Sequence, residues 1–234
     1  MRETKATGET RKTIDGNVPS ERSLQLESIY ESCVLKIPEG TLMSERIRSF
    51  IAFDMQNEQV LSRLAAAQKL LIETGADLRP VAPQNIHITT RFLGDISSGM
   101  VDKVFEAMKN VKFTPFTVKL CGLGVFPSLN YPRVVWAGMT DGVEQLKSIF
   151  TKLEPQIRAL GFAADQYGFS PHLTIARVRS GLNKQNLAEF VTKKADYEFG
   201  IIKADCLSLK RSQLSPKGPT YSTLREYCPA QEQK

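Results

Sequence analysis

Between residues 47 and 227 the apolar positions switch repeatedly between a period of two and a period near 3.6, and each switch marks a change from strand to helix. The run Ile47-Arg48-Ser49-Phe50-Ile51-Ala52-Phe53-Asp54 predicts a strand. Val60, Leu61, Leu64, Ala67, Leu70 and Leu71 then share one side of a helix over about 57–73, which Gly75 stops. An extended connector over 79–83 leads into a strand at 85–94. Ser97 or Ser98 caps a helix over 100–110 with Val101, Val104, Phe105 and Met108 on its apolar side. Phe116, Val118 and Leu120 alternate in a strand over 113–123 whose end Gly122 and Gly124 loosen. Residues 126–132 read as a loop and 133–138 as a strand. A helix over 142–160 buries Leu146, Ile149, Phe150, Leu153 and Ile157, kinked by Pro155 and ended by Gly161. A strand near 169–178, a helix over 183–194, one long strand over 199–209, a basic loop over 210–219 and a last strand over 221–227 complete the order.

That order reads as two related halves. It predicts an α+β fold of two lobes, with antiparallel-rich sheets facing a central cleft and helices outside, and not a doubly wound parallel sheet. No Gly-rich phosphate loop precedes any helix, which excludes a P-loop or dinucleotide fingerprint.

Upstream of residue 46 the periodic pattern is missing. Residues 1–45 are rich in Thr, Glu, Ser and Lys, and are expected to be a disordered tail or an upstream extension before a true start at Met43. Residues 46–230 are expected to form the two-lobed domain. The charge divides at the same place: residues 1–45 carry 6 basic and 8 acidic side chains, and residues 46–234 carry 25 and 17. A basic folded part favours an anionic partner.

The candidate chemistry lies in a repeated phrase. The chain has two histidines, His87 and His172, and each is followed two residues later by a threonine, Thr89 and Thr174. On a strand, residues two apart share a face. If the two strands meet across a cleft, two imidazoles and two hydroxyls converge on one point, a set suited to a phosphate in reaction. An imidazole with a pKa of about 6.5 serves as acid or base near neutral pH, so two of them can act at opposite ends of a displacement with neither metal nor cofactor.

Cysteines 33, 121, 206 and 228 have no zinc or redox spacing, and are expected as reduced thiols. No apolar run is long enough for a membrane span and the N-terminus is polar, so a cytoplasmic protein is expected.

With these residues in place, the chain from about 46 to 227 resembles the two-histidine phosphoesterase superfamily, and within it the prokaryotic RNA 2',3'-cyclic phosphodiesterase family, also called 2'-5' RNA ligase. The resemblance rests on Phe50-Ile51-Ala52-Phe53-Asp54, on Asn85-Ile86-His87-Ile88-Thr89 with Arg91-Phe92-Leu93-Gly94, and on Pro132-Arg133-Val134-Val135-Trp136-Ala137-Gly138. It continues in Pro171-His172-Leu173-Thr174-Ile175-Ala176-Arg177-Val178 and Ser215-Pro216-Lys217-Gly218-Pro219-Thr220-Tyr221. It implies a bilobal fold with pseudo-twofold symmetry, His87 as proton donor and His172 as proton acceptor, with Thr89, Thr174 and Arg177 holding the phosphate oxygens. It also implies Phe92 beneath a nucleobase. Arg133, with Arg179, Lys210, Arg211 and Lys217, is a candidate for tracking an RNA backbone. Strict alternation would put Phe92 on the face opposite His87, so its role requires a twist or bulge after Arg91. Thr90, apolar in most of the family, is expected on the outward face.

The implied activity is hydrolysis of RNA 2',3'-cyclic phosphate ends to 2'-phosphates, by a monomer. The alternatives are ATP-independent 2'-5' joining of RNA ends such as tRNA halves, and a silent module that binds RNA ends.

Overall fold

The periodic patterns are realised in a computed structural model, which describes residues 45–166, 168–216 and 218–229. The chain divides after Met43, and Ser44–Lys234 is the unit that carries the fold. The expected N-terminal tail lies, apart from Glu45, outside the described residues.

The elements in order are β1 (Arg46–Asp54), α1 (Glu58–Glu73), β2 (Leu78–Pro80), a 3₁₀ turn (Pro83–Asn85), β3 (His87–Ser97) and α2 (Ser98–Lys109). Then follow β4 (Phe116–Ser128), β5 (Tyr131–Asp141), α3 (Val143–Ala159), β6 (Leu173–Val178), α4 (Lys184–Lys193), β7 (Glu198–Ala204), β8 (Leu207–Ser215) and β9 (Gly218–Tyr227). Local chemistry sets the boundaries. Asn57 caps α1 by accepting the Val60 N–H on its side chain, and Gly75 leaves it at φ 74.

The strands are antiparallel throughout and hydrogen-bonded in the order β7-β4-β5-β6-β3-β1-β8-β9, with β2 added to β6. The two expected sheets are the halves of this array. Ile88 opposite Leu173 is the one register pair between β3 and β6, so the halves join edge to edge where the His motifs lie. Both residues are fully buried on the face away from the cleft.

The pseudo-twofold relation is visible in the pairings. β1, α1, β3 and α2 in the first half correspond to β5, α3, β6 and α4 in the second. Each long helix crosses the join: α1 packs on β2, β6 and β7, and α3 on β3 as well as β5. Leu64 and Leu71 of α1 and Leu146, Leu153 and Ile157 of α3 are fully buried there. Burying a side chain of this size contributes about 1.5–3 kcal/mol, so the two halves share one core.

Several local expectations change. The expected loop over 126–132 is a hairpin: β4 runs through Ser128 and β5 starts at Tyr131. Gly122 and Gly124 lie inside β4. Gly122 takes φ 80, and the missing side chain of Gly124 makes room for the Trp136 ring, which a Cβ would meet at 2.1 Å. The expected long strand over 199–209 breaks at Asp205-Cys206 into β7 and β8, which pair at different ends of the sheet, β7 with β4 and β8 with β1. The expected basic loop over 210–219 is the β8–β9 hairpin. Lys210 within it is buried and paired with Asp54 at 2.8 Å.

The reduced-thiol expectation also fails in part. Cys206 and Cys228 form a disulfide, because β8–β9 pairs Leu207 with Tyr227 and leaves the two cysteines as the next rung. Cys121 is free and Cys33 is outside the described residues. No helix among the described residues is long and apolar enough to cross a membrane.

Candidate active site

A cavity of about 500 Å³ opens over the join between β3 and β6 and takes in His87, Thr89, His172 and Thr174. Its size falls in the range of about 300–1,000 Å³ usual for ligand pockets. The antiparallel pairing of Ile88 with Leu173, extended one residue each way, sets His87 opposite Thr174 and Thr89 opposite His172. That opposition brings both His-x-Thr segments to the join over which the cavity opens. Neither threonine hydroxyl has a hydrogen-bond partner among the described residues. His172 itself sits one residue before β6, at the end of the connection from α3.

Each histidine is oriented in the same way. The His87 Nδ1–H donates to the Asn85 carbonyl at 2.8 Å, and the His172 Nδ1–H donates to the Ser170 carbonyl at 2.7 Å. A carbonyl only accepts, which fixes the proton on Nδ1 and leaves Nε2 for chemistry. Asn85 is held by its own side chain, which donates to the Pro219 carbonyl. The His87 ring stacks on Phe50 with centroids 4.7 Å apart and meets the edge of Tyr221 at 5.2 Å. His172 meets Phe126 edge-on at 4.9 Å, with Trp136 at 6.5 Å.

These apolar walls govern the protonation. Burial pushes His87 down from 6.5 to about 4, against the opposing effects of the Asn85 carbonyl and Asp54, while Lys210 and His172 lower it further. Burial also lowers His172, against its Ser170 hydrogen bond. In the free site both imidazoles are therefore neutral at pH 7.

The bulge that Phe92 requires is present, one residue earlier than expected. Between β1 and β3 the register skips Thr90: Ala52 faces Thr89 and Ile51 faces Arg91. Thr90 and Arg91 are consecutively buried, and Phe92 returns to the cleft side, 65% exposed. Thr90 is thus inside, not outward, and its buried hydroxyl has no partner among the described residues. The second motif repeats the device. Between β5 and β6 the register skips Ile175, so Trp136 faces Thr174 and Val135 faces Ala176. Ile175 and Ala176 are both buried, and Arg177 returns to the cavity. Phe92 and Arg177 occupy corresponding positions of the two halves.

The bulges are braced by the helices that cross the join. From α1, the Gln68 Nε2 donates to the Ile175 and Val81 carbonyls, both at 2.8 Å. From α3, Glu154 receives the Arg91 Nε–H at 2.6 Å, and the same guanidinium donates to the Ala163 and Phe92 carbonyls. Asp165 adds a carboxylate 3.7 Å from it.

Not every expected residue converges here. Arg133 lies on the exposed β4–β5 hairpin over the Tyr131 ring, 4.5 Å from its centroid, and is outside the cavity lining. Lys217 is outside the described residues. Phe50, Tyr221 and the carbonyls of Asn85 and Ser170 were not singled out from the sequence, although Phe50 and Tyr221 stand within segments that carry the resemblance. Among the described residues, the group spaced for a metal is Cys206, Glu226 and Cys228, away from the cavity lining and with its sulfurs already joined.

Two half-sheets joined edge to edge, each presenting a His-x-Thr strand to one cleft, define a two-histidine phosphoesterase. The chain belongs to the LigT-like phosphoesterase family, whose model matches residues 55–136 and 138–221. It is 34% identical to the RNA 2',3'-cyclic phosphodiesterase of Aeropyrum pernix over 71% of this chain and 95% of that protein. The protein of the same name from Methanothermobacter thermautotrophicus is 30% identical over 78% and 98%. Among solved structures, TT0787 of Thermus thermophilus superposes with a TM-score of 0.65 at 25% identity, over 80% of this chain and all of that one. Escherichia coli LigT complexed with 3'-AMP gives 0.66 at 22% identity, over 81% and 100%, a likeness of fold.

Proposed function

We propose that the protein is an enzyme that opens 2',3'-cyclic phosphate ends of RNA to 2'-phosphates, using its two histidines as acid and base. The observation that carries the reading is the pairing of Ile88 with Leu173, with a His-x-Thr on each side. The relatives named above support the substrate class.

In this mechanism the cyclic phosphate sits between the two Nε2 atoms. His172 Nε2 takes a proton from the attacking water as the new P–O bond forms, and His87 Nε2 gives one to the departing ribose 3'-oxygen. Thr89, Thr174 and Arg177 donate to the non-bridging oxygens as charge builds. Burial keeps His87 neutral in the free site, so its proton is taken up when the anionic phosphate arrives and raises the affinity of a neighbouring imidazole for it. Phe92 offers an exposed ring to the terminal base. Arg133, on the exposed β4–β5 hairpin outside the cavity lining, serves RNA beyond the terminal nucleotide. The protein acts as a cytoplasmic monomer without metal or cofactor, and tRNA halves are among its substrates. The cysteines no longer argue for the compartment, since two of them are bridged.

The test is incubation with an RNA ending in a 2',3'-cyclic phosphate in the presence of EDTA, with the product identified by phosphatase sensitivity and chromatography. A 2'-phosphomonoester is expected. A 3'-phosphate, or no product until a metal is restored, would contradict the proposal. Consumption of a 5'-hydroxyl RNA in place of water would turn it to the ligase reading.

A further inference from the structure

The cavity is longer than the two-histidine centre needs. From His87 it continues along β1 and β8 to Arg48, Ser212 and Leu214. Strand alternation accounts for this arm. Arg48 is two residues from Phe50, which stacks on His87, so it faces the same cleft about 7 Å further along. Phe50 pairs with Lys210, and Ser212 and Leu214 follow Lys210 on the same face of β8. Tyr221, whose edge meets His87, is the register partner of Ser212.

The chemistry of this arm differs from that of the rest of the cavity. Arg48 makes no hydrogen bond or ion pair among the described residues, and forms none with Asp95, its register partner on β3. Arg79 on β2 has its guanidinium packed against Gly218 of the β8–β9 hairpin. An unengaged guanidinium beside a hydroxyl is a donor set for one phosphate. Beyond it, Leu214 is 69% exposed, an apolar ledge of a size to carry a base.

We infer that Arg48 and Ser212 bind the phosphodiester on the 5' side of the terminal nucleotide, so that the enzyme reads a polynucleotide end in preference to a free cyclic mononucleotide. This rests on the cyclic-phosphodiesterase reading and adds the direction in which the chain leaves the site: from the Phe92 platform along β1 and β8 toward Arg48. The reacting phosphate lies between the histidines, the ribose and base over Phe50, Tyr221 and Phe92, and the next phosphate at Arg48.

The experiment compares adenosine 2',3'-cyclic phosphate with a diadenosine bearing the same cyclic end, and with the diadenosine whose linkage is an uncharged methylphosphonate. In the wild type, kcat/KM is expected to be at least about ten-fold higher for the charged dinucleotide than for either other substrate. Arg48→Ala, at an exposed position, is expected to remove that preference and to leave the mononucleotide within about two-fold of wild type. An undiminished preference in Arg48→Ala, or no preference in the wild type, would overturn the inference. If no substrate is turned over, the cyclic-phosphodiesterase reading fails. The subsite is then judged by equilibrium binding of the charged dinucleotide, and equal affinity for wild type and Arg48→Ala would overturn it.

Discussion

At the scale of single residues, the site turns on which nitrogen of each imidazole is engaged. Both Nδ1 atoms are committed to main-chain carbonyls, which leaves the two Nε2 atoms for the acid and base roles proposed here. The proposed mechanism needs His87 protonated while His172 is neutral. With His87 near 4 and His172 below 6.5 in the free enzyme, that state becomes rarer as pH rises above both values. The expected kcat/KM therefore falls as pH increases above about 6.5, close to ten-fold per unit, while kcat, which reports the complex, holds to higher pH. A pH series on a cyclic-ended RNA checks this; a kcat/KM that is flat from pH 6.5 to 8 would show that the proton donor is not a buried imidazole. The pair of histidines and threonines was legible because His-x-Thr is a same-face spacing on any strand. Their opposition across Ile88 and Leu173 was not, because register between strands some 85 residues apart leaves no mark in either segment.

At the scale of elements, the same device is built twice. A bulge after each His-x-Thr turns the strand so that Phe92 and Arg177 reach the cleft, and a polar side chain from the helix of the other half braces it. Arg91 does more than brace β3. Through Ala163 and Asp165 it holds the connection that ends at Ser170, whose carbonyl orients His172. Arg91→Lys keeps the charge and loses the fork of donors. It is expected to lower kcat about ten- to a hundred-fold and to change the NMR titration of His172, with that of His87 unchanged. Equal changes at both histidines would mean a general loosening of the fold instead. The sequence required a bulge near Arg91 but could not locate it, since Thr90 and Arg91 are both polar and give no sign of being buried. The break at Asp205-Cys206 was hidden for the opposite reason. Phe199, Ile202, Ala204, Leu207 and Leu209 are all buried, so the apolar pattern runs on across the point where the chain leaves one half for the other.

For the whole molecule, the order of strands and helices was enough to reveal two related halves. The crossing of α1 and α3 over the join was not, because an amphipathic helix shows that it has a partner without showing which. One cross-link lies outside the twofold pattern. The disulfide Cys206–Cys228 closes the β8–β9 hairpin, whose Ser212 and Tyr221 line the cavity. Joining residues 22 apart constrains the unfolded chain by about 3 kcal/mol on the loop-entropy account. The double variant Cys206→Ser, Cys228→Ser is expected to lose stability of that order in urea unfolding, and the wild type to lose as much on reduction. Identical midpoints with and without reductant would show that the bridge does not form in solution.

The assignment of acid and base is tested most directly by changing the leaving group. A dinucleotide whose cyclic end carries sulfur in place of the bridging 3'-oxygen expels a thiolate, which needs no proton, while attack by water still needs a base. The account predicts that on this substrate His87→Ala recovers a rate near wild type while His172→Ala remains inactive. Rescue of His172→Ala instead, or of neither variant, would contradict the roles given to the two histidines.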